Sequence, residues 1–210
     1  MKIVLFDFDG VLVDTEPIYD IFWNQAGKRY NIGIENFAEV IKGTTLPDII
    51  ANYFNDRTEE EKQTIIREST EYERHMALPA MPGSMEFLHL LRKHHVTMGL
   101  VTSSDMEKIE RAIALYKLDT IFNTIVTSDR ITKGKPDPVC YLLAASDLNA
   151  SPGDCLVFED SFAGIRAATK AGMQVIALST TNPAESLLNK ASKVIPNFEG
   201  VTFEQFLQWQ

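Results

Sequence analysis

The sequence predicts an α/β fold: a parallel sheet covered by helices on both faces, interrupted by an all-helical insertion. Three observations carry that prediction. The chain opens on a short apolar run, Ile3-Val4-Leu5-Phe6; residues from about Glu16 to Leu78 keep a helical pattern almost throughout; and from Ser84 onward strand and helix patterns alternate. Such alternation sets successive strands parallel and packs helices on both sides of them.

The elements follow in order. Ile3–Phe6 reads as a buried strand. Asp7 and Asp9 come next, and residues i and i+2 of an extended chain point to the same side. The pair lies close to Gly10, where the backbone is free to turn. Pro17 suits the first turn of a helix, on which Ile18, Ile21, Phe22 and Ala26 share a face. Thr58-Glu59-Glu60-Glu61 is a capping-box start for a long helix running through Ile65, Ile66, Tyr72 and Met76. Pro79 and Pro82-Gly83 then mark a boundary. Beyond it, helix Met85–Lys93 precedes strand Val96–Val101, and helix Asp105–Tyr116 precedes strand Thr124–Val126. Helix Val139–Ser146 precedes strand Cys155–Glu159, and helix Phe162–Ala171 precedes strand Gln174–Leu178. The expected division is a sheet-and-helix core of residues 1–15 and 80–210, with a helical unit at 16–79.

Composition narrows the classes of function. The 210 residues suffice for a sizeable core, and apolar and charged fractions of 45% and 23% are those of an ordinary globular protein. No apolar run is long enough to span a bilayer, and Met1-Lys2-Ile3 leads directly into the first strand, so the expectation is a cytoplasmic protein that does not use a membrane. The net charge of −9 argues against a broad nucleic-acid surface, though not against a phosphorylated small molecule bound by a local basic group. Cys140 and Cys155 suggest buried small side chains rather than a disulfide or zinc framework. The four histidines, His75, His89, His94 and His95, form no ligand pattern.

Ligands of such a sheet sit outside the carboxyl ends of its strands, and those ends carry matching chemistry. Two carboxylates, Asp7 and Asp9, at the end of a buried strand repel each other unless a cation, a shared proton or a catalytic role accounts for them. Met98–Val101 ends in Thr102-Ser103-Ser104, a hydroxyl followed by backbone N–H groups that open a helix, which suits a phosphate. Ser104-Asp105-Met106-Glu107 reads equally as a capping box. Lys133 and Lys135 lie in a loop, the second stiffened by Pro136 and Pro138. Leu156-Val157-Phe158 ends in a second carboxylate pair, Glu159-Asp160, followed by Ser161 and Ala163-Gly164.

In this order and spacing, Asp7-Phe8-Asp9-Gly10-Val11-Leu12-Val13-Asp14, then Thr102, then Lys135-Pro136-Asp137-Pro138, then Glu159-Asp160-Ser161-Phe162-Ala163-Gly164, the chain resembles the haloacid dehalogenase superfamily of phosphotransferases over essentially its whole length. The resemblance implies a Rossmann-like core, with the insertion as a helical cap of the phosphoglucomutase-like branch. It implies Asp7 as the nucleophile that forms an aspartyl-phosphate and Asp9 as the acid that protonates the leaving alcohol and then the base that activates water. It implies Mg²⁺ held by the Asp7 carboxylate, the Asp9 backbone carbonyl and Asp160, an oxygen-only set suited to a hard ion. Thr102 and Lys135 would hold the transferring phosphoryl group, with Ser103 beside them, and Glu159 would support the metal site or Lys135.

Within that superfamily Asp9 disfavours carbon–halogen and phosphonate cleavage, whose enzymes lack this acid. The cap segment Ile41-Lys42-Gly43-Thr44-Thr45 is similar to that of β-phosphoglucomutase, but Leu46-Pro47 stands where the mutase pattern has an arginine, and Tyr19 where it has a histidine. Neither Leu46 nor Pro47 can grip a second phosphate bidentately. The expected activity is therefore hydrolysis of a small phosphate monoester, such as a sugar phosphate. The alternatives are a sugar-phosphate mutase and a non-catalytic phosphate-binding or regulatory protein. Glu16, Tyr19, Trp23, Lys42, Gly43 and Thr44 are the candidate leaving-group contacts, although Trp23 and Tyr19 also suit the interior of the helical unit. The expected partner is a small phosphorylated metabolite, and the expected state a monomer or weak dimer.

Overall fold

The computed structural model describes residues 3–41 and 46–210. The chain divides into two compact units, Met1–Asp14 with Leu78–Gln210, and Thr15–Ala77. The helical unit holds α1 (Glu16–Arg29), α2 (Phe37–Ile41), α3 (Leu46–Tyr53) and α4 (Glu59–His75). Thr58 caps α4 in the expected capping box, its side chain accepting from the Glu61 N–H while the Glu61 side chain accepts from the Thr58 N–H. Trp23, Phe37, Ile41, Ile49, Ile50, Phe54 and Ile65 form the buried cluster of this unit. The face expected for α1 needs one correction. Its buried residues are Trp23, Ala26 and Gly27, and Ile21 is 54% exposed. Gly27 decides this, because a Cβ there would come within 2.8 Å of Phe37, so α2 approaches α1 along the glycine.

The core unit begins with β1 (Ile3–Phe6) and resumes with α5 (Ser84–Lys93), β2 (Met98–Val101), α6 (Met106–Tyr116), β3 (Thr124–Val126) and α7 (Val139–Asp147). It continues with β4 (Cys155–Glu159), α8 (Phe162–Lys170), β5 (Gln174–Leu178), α9 (Ala184–Leu187), β6 (Lys193–Ile195) and α10 (Phe203–Leu207). All strand pairs are parallel, in the order β3-β2-β1-β4-β5-β6. Among the described residues, five strands of the sheet lie where the sequence places them; the sixth, β6, is three residues long with an exposed lysine at its start, too short for a periodic signal.

Alternation along the strands builds two interiors. Phe6 and Phe158 are register partners stacked at 5.1 Å, and with Phe87, Phe198 and Phe206 they fill one face. Leu5 and Val157, one residue away, turn to the other face and pack with Tyr141, Ala144, Ile165 and Ala168 of α7 and α8. Each such fully buried large side chain contributes about 1.5–3 kcal/mol. Both cysteines are buried thiols in the second interior.

The insertion leaves and rejoins the core at a single place. The Asp14 N–H donates to Pro79 O at 2.8 Å, the Met81 N–H donates to Leu12 O at 2.9 Å, and Val13 bridges Ala80. Ser84 Oγ also donates to Leu12 O. Among the described residues no helix is long and apolar enough to cross a membrane.

Candidate active site

In a sheet ordered β3-β2-β1-β4-β5-β6, strands are added outward to one side of β1 and then to the other, so the crevice at its switch point opens between the carboxyl ends of β1 and β4. Asp7 follows β1, and its N–H donates to Phe158 O at 3.0 Å, which sets it beside the end of β4. Glu159 ends β4 and Asp160 follows it. All three acids are buried, and one carboxylate oxygen from each lies within 4.8 Å of the others.

Lys135 reaches this cluster from the loop between β3 and α7. Its Nζ donates to Asp7 Oδ1 at 2.7 Å, Glu159 Oε1 at 2.6 Å and Val101 O at 3.3 Å. The peptide that links it to Pro136 is cis. Its side chain is only 7% exposed, whereas neighbouring Lys133 is exposed. Glu159 accepts three further bonds and one more on the shared oxygen: Tyr141 Oη donates to Oε1 at 2.9 Å, and the Asp160 N–H, Ser161 N–H and Ser161 Oγ donate to Oε2. A Cβ on Gly164 would fall 1.6 Å from Glu159 Oε1, so the first turn of α8 must carry glycine there.

These charges govern one another. Burial and then the negative charge of Glu159 outweigh the Lys135 ammonium and raise the Asp7 carboxyl to about 7. Burial alone would favour neutral Lys135, but Asp7 and Glu159 together hold its pKa above the ordinary lysine value. Burial, followed by the charges of Glu159 and Asp7, pushes the Tyr141 phenol well up, so it acts as a donor.

The two carboxylates of the opening motif are paired with different ammonium groups. Asp9 accepts from Ser104 Oγ on Oδ2 and from Lys108 Nζ on Oδ1, both at 2.7 Å. Thr102 is buried at the end of β2 and accepts from the Ser104 N–H at 3.0 Å, while Ser103 is exposed. The N-cap of α6 is Asp105, which accepts from the Lys108 N–H; the expected cap at Ser104 is corrected accordingly, since Asp105 is the extended residue (φ −77°, ψ 169°) from which the helix starts. The loop after β5 braces the carboxylate ends: Thr181 Oγ1 donates to Asp160 Oδ2, Asn182 Nδ2 to Asp160 O, and Thr180 Oγ1 to Gly10 O. Gly10 adopts φ 74°, and a Cβ there would lie 2.0 Å from Asp160 Oδ2.

The structure therefore brings together Asp7, Lys135, Glu159 and Asp160, and sets Asp9 against the Thr102–Ser104 turn. Glu16 and Tyr19 lie on α1 of the helical unit, where Tyr19 Oη donates to Glu73 at 2.6 Å. Trp23 is buried in that unit. Lys42, Gly43 and Thr44 lie outside the described residues. Nothing in the sequence pattern marks Lys108, Tyr141 or Thr181 as site residues, and Ser104, expected beside a phosphate, meets Asp9 instead. The signal Lys108 does leave is one of burial, a lysine beside Ile109 and one turn before Ala112 on the buried face of α6.

The donor set fits a hard divalent cation. It offers carboxylate oxygens only, and three acids against one ammonium leave negative charge uncompensated. Glu159 is already saturated by protein donors, so Asp7 and Asp160 are the side chains suited to hold an ion.

Residues 4–178 match the family of haloacid dehalogenase-like hydrolases. The chain is 33% identical over 199 residues to validoxylamine A 7'-phosphate phosphatase of Streptomyces hygroscopicus subsp. limoneus, covering 89% of each chain. It is 31% identical over 196 residues to β-phosphoglucomutase of Bacillus subtilis, covering 87% of this chain and 85% of the mutase. Among solved structures, a family IA, variant 3 hydrolase from Entamoeba histolytica superposes with a TM-score of 0.85 at 27% identity, covering 100% of this chain and 99% of that one.

Proposed function

The chain belongs to the haloacid dehalogenase-like hydrolase family, and within it we propose a Mg²⁺-dependent phosphatase of small phosphate monoesters, sugar phosphates foremost, working through an aspartyl-phosphate on Asp7. Its enzyme class is that of the phosphoric monoester hydrolases. One observation carries the finer reading: the buried Asp7 carboxylate is fixed by Lys135, itself fixed by Glu159, while Asp9 is held separately by other donors. Adjacent acids placed in unequal surroundings take unequal roles.

Asp7 attacks phosphorus, and the bond from phosphorus to the ester oxygen breaks. Asp9 gives its proton to the leaving alcohol. The Asp9 carboxylate then takes a proton from water, whose oxygen attacks phosphorus, and inorganic phosphate leaves with Asp7 restored. Lys135 offsets charge on the transferring group, and Thr102 and Ser103 line its approach. Asp7, Asp160 and the Asp9 carbonyl would hold Mg²⁺, which when bound supplies positive charge to the phosphoryl oxygens and favours ionised Asp7. In this reading Glu16, Tyr19, Lys42, Gly43 and Thr44 are the residues that select the leaving group.

The 31% identity to a β-phosphoglucomutase sustains a second reading, sugar-phosphate mutase activity. Leu46-Pro47, with no guanidinium for a second phosphate, favours hydrolysis. The deciding experiment measures Mg²⁺-dependent phosphate release from a panel of sugar and metabolite monophosphates alongside isomerisation of glucose 1-phosphate. Release faster than isomerisation is expected. Isomerisation outpacing release would move the assignment to mutase, and neither activity would leave a phosphate-binding protein.

A further inference from the structure

We propose that Lys108 is a positioning residue of this hydrolysis, holding the Asp9 carboxylate together with Ser104 so that the acid–base group meets the leaving oxygen in one orientation. The inference rests on the role given above to Asp9.

Lys108 sits in the first turn of α6 with its side chain only 2% exposed, whereas that of Asp9 is 25% exposed. An ammonium is costly to bury unless a counter-charge and hydrogen bonds accompany it. Its helical neighbours Ile109 and Ala112 are buried apolar residues, so an apolar side chain would suit this position if packing alone decided it. The Nζ instead meets Asp9 Oδ1 at 2.7 Å and lies 5.9 Å from the centre of the Phe8 ring.

The two donors divide the carboxylate, Lys108 taking Oδ1 and Ser104 taking Oδ2. Contacts to both oxygens fix the plane and the rotamer of the group. The lysine is itself fixed: its N–H donates to the capping carboxylate Asp105 at 3.0 Å, and the Met106 N–H donates to Asp129 Oδ2 at 2.8 Å, which pins the start of α6. Asp9 thus has its own support, separate from the Lys135–Glu159 pair that holds Asp7. General acid–base catalysis needs a group within hydrogen-bond reach of the proton it moves, and a small misplacement is costly.

The test compares the full chain with Lys108→Met, Lys108→Arg, Ser104→Ala, Asp9→Asn and the double variant Asp9→Asn/Lys108→Met. Each is assayed with Mg²⁺ on p-nitrophenyl phosphate and glucose 6-phosphate, with thermal unfolding as the check on folding. Lys108→Met is expected to lower kcat about 10- to 100-fold while KM changes by less than about threefold. Lys108→Arg should recover part of the loss, and Ser104→Ala should lower kcat several-fold even if Lys108→Met does not fold. On the Asp9→Asn background Lys108→Met should cost nothing further, because its effect passes through Asp9. Three results overturn the inference: kcat of Lys108→Met within about twofold of native, an unaltered Ser104→Ala where Lys108→Met cannot be folded, or a loss undiminished in the double variant. Full activity in Asp9→Asn would overturn the acid–base reading itself, and this inference with it. An inactive Asp9→Asn beside a fully active Lys108→Met would overturn this inference alone.

Discussion

Replacing Glu159 by glutamine changes one atom and disturbs the site from both sides. Glu159 is fully buried and takes Lys135 and Tyr141 on one oxygen and the Asp160 N–H, Ser161 N–H and Ser161 Oγ on the other. An amide has one acceptor oxygen. If its nitrogen faces Lys135 and Tyr141, two donors face two donors; if it faces the backbone, three donors lose their acceptor. In either orientation Lys135 keeps only the charge of Asp7. Breaking one side of a buried charged pair costs about 3–5 kcal/mol, in the range of one or two lost hydrogen bonds to a charged group. For a chain of this length each kcal/mol lowers Tm by about 2–4 °C, so Glu159→Gln should melt about 6–20 °C below native. Differential scanning calorimetry on the whole chain reads this, and the transition to follow is that of the core unit, since two compact units need not unfold together. A fall of less than about 2 °C with native turnover would show that Glu159 does not organise Lys135.

Other consequences can be tested alongside. Asp7→Asn should abolish turnover of every monoester while leaving a folded chain by circular dichroism; residual activity above about a thousandth of native would remove Asp7 as nucleophile. Burial and Glu159 raise Asp7 to about 7, so below that pH an incoming Mg²⁺ must displace a proton. Its affinity by calorimetric titration should fall about tenfold per pH unit below pH 7 and level off above it, and a flat profile from pH 5.5 to 8 would contradict this. Gly164→Ala places a Cβ 1.6 Å from Glu159 Oε1, which can retreat only by releasing Lys135 or Tyr141. A loss of about 1–3 kcal/mol in urea unfolding, with lowered kcat, is expected, and native stability would mean that the turn shifts freely.

The core was legible because its signals are local. Apolar runs such as Leu156-Val157-Phe158 announce strands, and a carboxylate after such a run announces a strand end. Asp7, Lys135, Glu159 and Asp160 each stand in a stretch with its own turn or cap chemistry, and topology brought them together. Lys108 was not legible as a site residue because its meaning depends on a partner 99 positions away. The brace from Thr180, Thr181 and Asn182 to Gly10 and Asp160 is equally non-local, with no pattern in the stretch after β5 to announce it. Ile21 was misplaced for another reason: small residues at Ala26 and Gly27 let α2 approach closely and turned the buried face of α1 away from it.

The doorway formed by Leu12–Asp14 and Pro79–Met81 has a consequence for how such a chain can change over time. Backbone hydrogen bonds tie the departing and returning segments to each other, so the loop-closure entropy of everything between them is met by the core itself and grows only slowly with the length enclosed. What hangs from that doorway can be lengthened, shortened or exchanged with little penalty to the sheet, provided its two ends emerge side by side. The sheet with its strand-end residues and the unit inserted into it can then vary separately.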